Sequence, residues 1–354
     1  MEPKTKFQHF LRDIWPIILL SVALLVIVFV FEVLINDQIT SRSLNEALIR
    51  LVVVIRLFIF IGNSGVISFG HIGFMMVGAY ATAWQTMDPM SKSIFVPGLP
   101  EYLLNNSHHW FIATILGGLL AAIVAFIFGV AIMRLSGIAA SIGTFAVMMA
   151  LYSLYYNWTT WTAGQSSLVG IPVTTTPWVG LLFCVLSIIG AFLYSSSRFG
   201  ASIRATREDE IAAQAAGINM NFQRIISFSI SAFFVGMGGG LYAHFLGILV
   251  VDTFFLPLTF ITLSMLVVGG MQSLSGAVVG TLLLSFLINF LRAFEKGVDV
   301  GIKLSLPANS AEIGLGLILL LILIFRPTGI TRNQEIYWPW ASKVRSSSIT
   351  KRQS

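Results

Sequence analysis

The chain is poor in charge. Only 10% of its 354 residues are Asp, Glu, Lys or Arg, while 56% are hydrophobic. A soluble domain carries about 25% charge, so this composition excludes an ordinary water-exposed globular surface. Cysteine is nearly absent. Cys184 stands alone in an apolar block, which excludes an intrachain disulfide and a multi-cysteine metal site and leaves a small packed residue. No G-x-x-x-x-G-K-[ST] phosphate loop, H-E-x-x-H helix or G-x-S-x-G elbow occurs. If ATP drives this protein, another chain must bind it. A membrane-embedded hydrolase has no visible catalytic set, so the sequence does not read as an enzyme.

What is present is a series of apolar blocks. A bilayer-spanning helix needs roughly 20 mostly apolar residues, and the expected spans are 14–35, 44–61, 66–86, 110–133, 138–156, 178–195, 225–247, 254–271, 275–291 and 311–325. The fold class expected is all-α, a polytopic integral membrane protein with about ten transmembrane helices. The block at 254–271 is short and carries Pro257, so a half-helix is an alternative there. The first block follows Lys4, Lys6 and Arg12. It is too long for a signal-peptide core and no A-x-A site follows, so it reads as a retained span. The implied organisation is an N-terminal segment 1–13, a transmembrane domain 14–330 and a tail 331–354.

Basic residues orient the spans. Fourteen lie on one proposed side: Lys4, Lys6, Arg12, Arg134, Arg198, Arg204, Arg207, Arg224 and six from Arg326 onward. Five lie on the other: Arg42, Lys92, Arg292, Lys296 and Lys303. The positive-inside bias places both termini in the cytoplasm. It also accounts for the net charge of +6 without nucleic acid as a partner.

Three features carry candidate function. Between the second and third spans, Asn63, Ser68, Gly70, His71 and Gly73 crowd small and polar groups into membrane depth. Backbone that is not helical there must be buried in protein or face water, so this stretch is a tight packing seam, a lining of a translocation path, or both. His71 taken alone reads more readily as a packed, hydrogen-bonded residue. Second, Arg50 and Arg56 fall inside a span. They are expected to face the protein interior, a cavity or the interface, to which Arg50 can snorkel, with Glu46 one turn away as an ion-pair partner for Arg50. Third, the run RFGASIRATREDEIAAQAAGINMNFQR (198–224) interrupts the spans with charge. Thr206 and Asp209 suggest a capping box, the Ala-rich stretch a short helix, and Gly217 its stop. Ile211, Ala215 and Ile218 make a small apolar face. Acids in the first turn argue against lying on anionic headgroups, so a soluble partner is expected to dock here. The run Gly238 to Ala243 fits G-x-G-x-x-A formally, but it follows a helix-like apolar run and reads as helix packing.

At this point the residues resemble a known family. REDEIAAQAAGIN (207–219) resembles the coupling loop of ABC importer permeases, within the loop 196–224. GNSGVISFGHIGFMMVGAYATA (62–83), MRLSGIAASIGTFA (133–146), LVVGGMQSLSGAVVGTLL (266–283) and LILIFRPTGI (321–330) are similar to the LivM-type permeases of branched-chain amino acid uptake. The resemblance covers about residues 44–330. It implies an ABC importer permease fold in a bacterial inner membrane, a LivH-like second permease, two cytoplasmic ATPases, a periplasmic binding protein and surrounding lipid. ATP and magnesium would sit on the ATPases and no cofactor on this chain. Glu208, Asp209, Glu210, Ala212, Ala213 and Gly217 would contact the ATPase, and Asn63, Ser68, Gly70, His71 and Gly73 would flank the path. The substrate implied is a branched-chain amino acid, with urea or a short-chain amide as the alternative. A stand-alone ion-coupled carrier would need a central intramembrane acid, whereas Asp252 and Glu32 lie near span ends.

Overall fold

The structure, a computed structural model, describes residues 3–35, 37–296, 298–299, 303–304, 310–326 and 328–335. Most of the expected tail, residues 336–354, therefore lies outside the described residues.

Helix α1 (Pro3–Phe29) runs on as a π-helical turn, Val30–Ile35. Helix α2 (Gln38–Leu57) starts at Asp37, whose carboxylate accepts from Thr40 N at 3.0 Å and Thr40 Oγ1 at 2.8 Å. Those bonds hold the Asp37 carboxyl below its ordinary range, the side-chain bond first. α2 ends in a second π turn, Phe58–Gly62, and a non-helical linker, 65–70, leads to α3 (His71–Thr86). Then come α4 (Trp110–Ile132), α5 (Gly137–Asn157), α6 (Pro177–Ser196), α7 (Arg198–Glu208), α8 (Glu210–Ala215), α9 (Met220–Leu246), α10 (Leu256–Gly269), α11 (Leu274–Lys296) and α12 (Ser310–Phe325). The strands are two residues long: Leu168–Val169 pairs antiparallel with Ile248–Leu249, and Val298–Asp299 with Lys303–Leu304.

A helix stands at each of the ten expected spans. Seven segments are long and apolar enough to cross a bilayer, including Ile14–Ile35, Met220–Leu246 and Val251–Gly269. The other three fall short for different reasons. α3 and α12 are 16 residues each, and α2 carries Arg42, Glu46, Arg50 and Arg56. Around Pro257, α10 is only 14 residues, about 21 Å at 1.5 Å per residue, but a 3-10 turn at Val251–Phe254 extends the segment to 19 residues.

The centre of the bundle is made by α2, α3 and α9. From Leu44 to Leu57 nearly every residue of α2 is buried, and in α3 only Gln85 is not. A helix apolar on all sides belongs inside. Small residues let these backbones touch. A Cβ at Gly239 would stand 2.0 Å from Met75 O, so no larger residue fits where α9 crosses α3. The Gly238–Ala243 run is thus a mid-helix packing seam, as its sequence context implied.

The intramembrane arginines face protein. Arg50 pairs with Glu46. Arg56 is buried, with Cζ 3.7 Å from the Phe234 ring centroid and Nη2 donating to Leu186 O at 3.2 Å. Beyond α12, the boundary expected at 330 is no break in packing. Ile330 N donates to Val268 O at 2.8 Å and Thr331 N to Gly269 O at 3.1 Å. Glu335 accepts from Leu274 N at 2.6 Å and Ser275 N at 3.0 Å, which caps α11 from 60 residues away.

Candidate coupling site and translocation path

The charged segment folds as two helices rather than one. Ser197 caps α7, its Oγ accepting from Gly200 N at 3.2 Å. The capping box expected at Thr206 does not form. Thr206 is buried inside α7 and donates to Ile203 O at 2.7 Å. The chain breaks instead at Asp209, whose Oδ1 accepts from Ile211 N at 2.9 Å and Ala212 N at 3.0 Å as the N-cap of α8. A carboxylate caps at least as well as a threonine hydroxyl, and seating Thr206 against the bundle leaves Asp209 to cap. Gly217 ends α8 with φ of 83°, where Gly217 N reaches Gln214 O at 2.9 Å and Ile218 N reaches Ala213 O at 3.1 Å.

The residues expected at an ATPase contact divide into two groups. Glu208, Asp209, Ala212 and Gly217 are exposed, together with Ile211 at 82%. Ala213 is buried, turned towards the bundle on the inner face of α8. Glu210 is half-buried and pairs with Arg224, which is 2% exposed at the base of α9. Ala213 and Glu210 therefore hold α8 in place, and the outward face is Ile211, Ala212, Ala215 and Gly217 flanked by Glu208 and Asp209.

Two arginines that read in the sequence only as topology markers tie this segment to residues 62–65, where α2's π turn runs into the linker. Arg204 Nη1 donates to Asn63 Oδ1 at 3.0 Å and Ser195 O at 2.7 Å. Arg207 Nη1 donates to Gly62 O at 2.6 Å, and its side chain lies over Gly65 while Glu208 accepts from its other nitrogens. Partial burial and then the neighbouring Arg207 charge hold the Arg204 pKa below the ordinary arginine value. A cleft of 610 Å³ opens beside this junction, lined by Asn63, Ser195, Arg204, Gln272 and Glu335 among others.

Asn63, Ser68, Gly70, His71 and Gly73 are all buried. Asn63 receives Arg204 and gives Nδ2 to Ile59 O at 2.9 Å. His71 Nδ1 meets Ser68 Oγ at 2.7 Å, and its ring sits among Phe60, Phe74 and Phe228 at centroid distances of 5.5, 6.3 and 5.1 Å. Gly70 and Gly73 admit α5, against Thr144 and Leu151. All five pack inside the bundle. The exposed groups of the same linker are Gly65 and Ile67, with Phe69 half-buried.

The stretches that carry the family resemblance converge here. Phe69 N donates to Thr144 Oγ1 at 3.2 Å, a Cβ at Gly62 would lie 2.6 Å from Met271 O, and the 321–330 stretch leads into bonds on Val268 and Gly269. Among the described residues no group of His, Cys, Asp and Glu could hold a metal ion.

Comparison with known proteins agrees. Residues 39–325 match the family described as Branched-chain amino acid transport system / permease component. The High-affinity branched-chain amino acid transport system permease protein LivM of Escherichia coli K12 is 25% identical, with 88% of this chain and 74% of that protein covered. The LivM of Salmonella typhimurium LT2 is 24% identical over 80% of this chain and 68% of its own length. The Autoinducer 2 import system permease protein LsrC of Shigella flexneri is 28% identical over 60% of this chain and 62% of its own length. No solved structure gives a significant match. With a bundle of apolar helices and a family match over most of its length, the chain belongs to the branched-chain amino acid transport system permease family, the multi-pass membrane subunits of ABC transporters, which are not themselves enzymes.

Proposed function

We propose that this chain carries branched-chain amino acids inward across a bacterial inner membrane, as one of two permeases in an ABC importer. The observation that carries the reading is the attachment of α7 to residues 62–63 through Arg204 and Arg207, and of α8 to α9 through the Glu210–Arg224 pair. A two-helix segment bonded to the end of α2's π turn and to the base of α9 is suited to pass movement from a soluble ATPase into the bundle. The chain has no phosphate loop of its own, so ATP and magnesium belong to partner ATPases that seat on Glu208, Asp209, Ile211 and Ala212. In this reading a LivH-like permease completes the path and a periplasmic binding protein delivers the substrate. Both termini and the α7–α8 segment are cytoplasmic, as the basic residues of that segment favour.

The coupling step is mechanical. ATP binding draws the ATPases together and displaces α8. The Arg204 and Arg207 hydrogen bonds pull residues 62–65 with it, and α3 tilts because His71 begins directly after the linker. Gly239 and Gly78 give α3 and α9 smooth facing surfaces on which to slide.

ATP-dependent uptake of labelled leucine into vesicles holding the complete complex tests this. Competition by isoleucine and valine but not urea is expected. Uptake of urea without leucine would keep the permease reading and move the substrate to small amides; the LsrC relative, named for autoinducer 2 import, supports only that the wider group carries more than one kind of cargo.

A further inference from the structure

Asp252 stands exposed at the start of the Val251–Gly269 span. Tyr152 Oη donates to its Oδ1 at 2.5 Å, and Tyr152 lies inside the Gly137–Asn157 span. Among the described residues no basic side chain pairs with this acid. An ionisable group on the outside of a membrane bundle faces water or protein, because hydrocarbon is costly for it. Asp252 sits at the end of its span, where water reaches its carboxylate.

The face holding Asp252 is lined with rings. Tyr152 stacks on Phe255 at 4.2 Å and on Tyr156 at 5.4 Å between centroids. Along α5, Phe145, Met149, Tyr152 and Tyr156 recur at spacings of four and three, which puts them on one stripe about 16 Å long. At the far end of the stripe Phe145 meets Phe69 at 6.3 Å, and Phe69 meets Phe260 of α10 at 6.3 Å. Phe69 belongs to the non-helical linker, and such backbone at membrane depth is tolerated only in protein or beside water. Two independent observations, an acid with no basic partner among the described residues and an unwound segment, thus mark opposite ends of one aromatic stripe. α9 leads from the α8 end to the Ile248–Leu249 pairing just before Asp252, so Asp252 lies at the end of the stripe away from α8.

We infer that this stripe is this chain's wall of the translocation path, and that Asp252 receives the ammonium group of an α-amino acid at the mouth remote from α8. The inference rests on the proposed import function and sharpens it. Tyr152 occupies one carboxylate oxygen and leaves the other free to accept. The ring faces attract a cation and pack against an aliphatic side chain. Substrates without a cationic group, such as urea, a sugar or a nucleoside, gain nothing from this acid.

The test uses the complete reconstituted complex with saturating binding protein and labelled leucine. Asp252→Asn is expected to lower kcat/KM for uptake about 10- to 100-fold, the loss of a charge-assisted hydrogen bond. Asp252→Glu recovers part of it, Tyr152→Phe loses less, and the second permease still co-purifies with each variant. Uptake within twofold of wild type in Asp252→Asn overturns the ammonium site while leaving the import reading intact. Loss of the second permease from that variant makes Asp252 an assembly contact and also overturns the site. Absence of leucine uptake in the wild-type complex overturns the branched-chain substrate reading, and this inference with it.

Discussion

Replacing Arg204 with alanine removes the strut between α7 and the linker. Its guanidinium makes two hydrogen bonds, at 3.0 Å to Asn63 Oδ1 and 2.7 Å to Ser195 O. Bonds from a charged donor contribute about 1.5–3 kcal/mol each, and partial exposure of Arg204 argues for the lower end. Ser195 belongs to α6, so only the Asn63 bond crosses towards the linker and the strut is worth about 1.5 kcal/mol. If that free energy is what ties displacement of α8 to tilting of α3, its loss reduces coupling by about 10-fold at about 1.4 kcal/mol per decade. Vesicles holding the complex report both quantities at once, ATP hydrolysed and leucine taken up. Hydrolysis is expected to persist while leucine moved per ATP falls by that factor. Arg204→Lys keeps the charge but not the planar fork and should fall between. A ratio of uptake to hydrolysis within twofold of wild type, in a complex that still contains its ATPases, would refute the strut.

Other outcomes follow from the packing. Gly239→Val drives a side chain into Met75 O, 2.0 Å from the Cβ position. Overpacking of about 1–3 kcal/mol or more should remove the monodisperse peak in size-exclusion chromatography, whereas Gly316→Ala, with nothing within 4 Å, should leave it. Glu210→Gln strands the Arg224 charge, which is 2% exposed. The expected cost is about 1–2 kcal/mol, softened by the solvent reaching Glu210. A thermal melt in detergent should show the drop, and Arg224→Met added to it should restore most of the stability. Gly217→Leu places a branched side chain at a φ of 83° at a cost of about 1–2 kcal/mol, where asparagine is tolerated. Faster proteolysis within 208–220 and lower uptake, without a change in the global melt, is the expected pattern.

The sequence by itself determined that this is a helical membrane protein with a charged helical segment between its spans. Apolar runs of span length leave the chain few options, because hydrocarbon demands that every backbone group bond within its own helix. Glu46 with Arg50, Gly217 as a stop, and the Gly238–Ala243 run as packing were equally legible, since each depends on neighbours within a turn or two. Tertiary structure decided the rest. Asp209 capping α8 in place of Thr206, Ala213 turning inward, and Asn63 serving Arg204 all depend on which side of each helix meets the bundle. Asp252 next to Tyr152, and Glu335 on α11, join residues 100 and about 60 positions apart. A local pattern shows that a residue is polar and where its helix starts. Only the packed bundle shows whether that polar group meets a partner, a path or another chain.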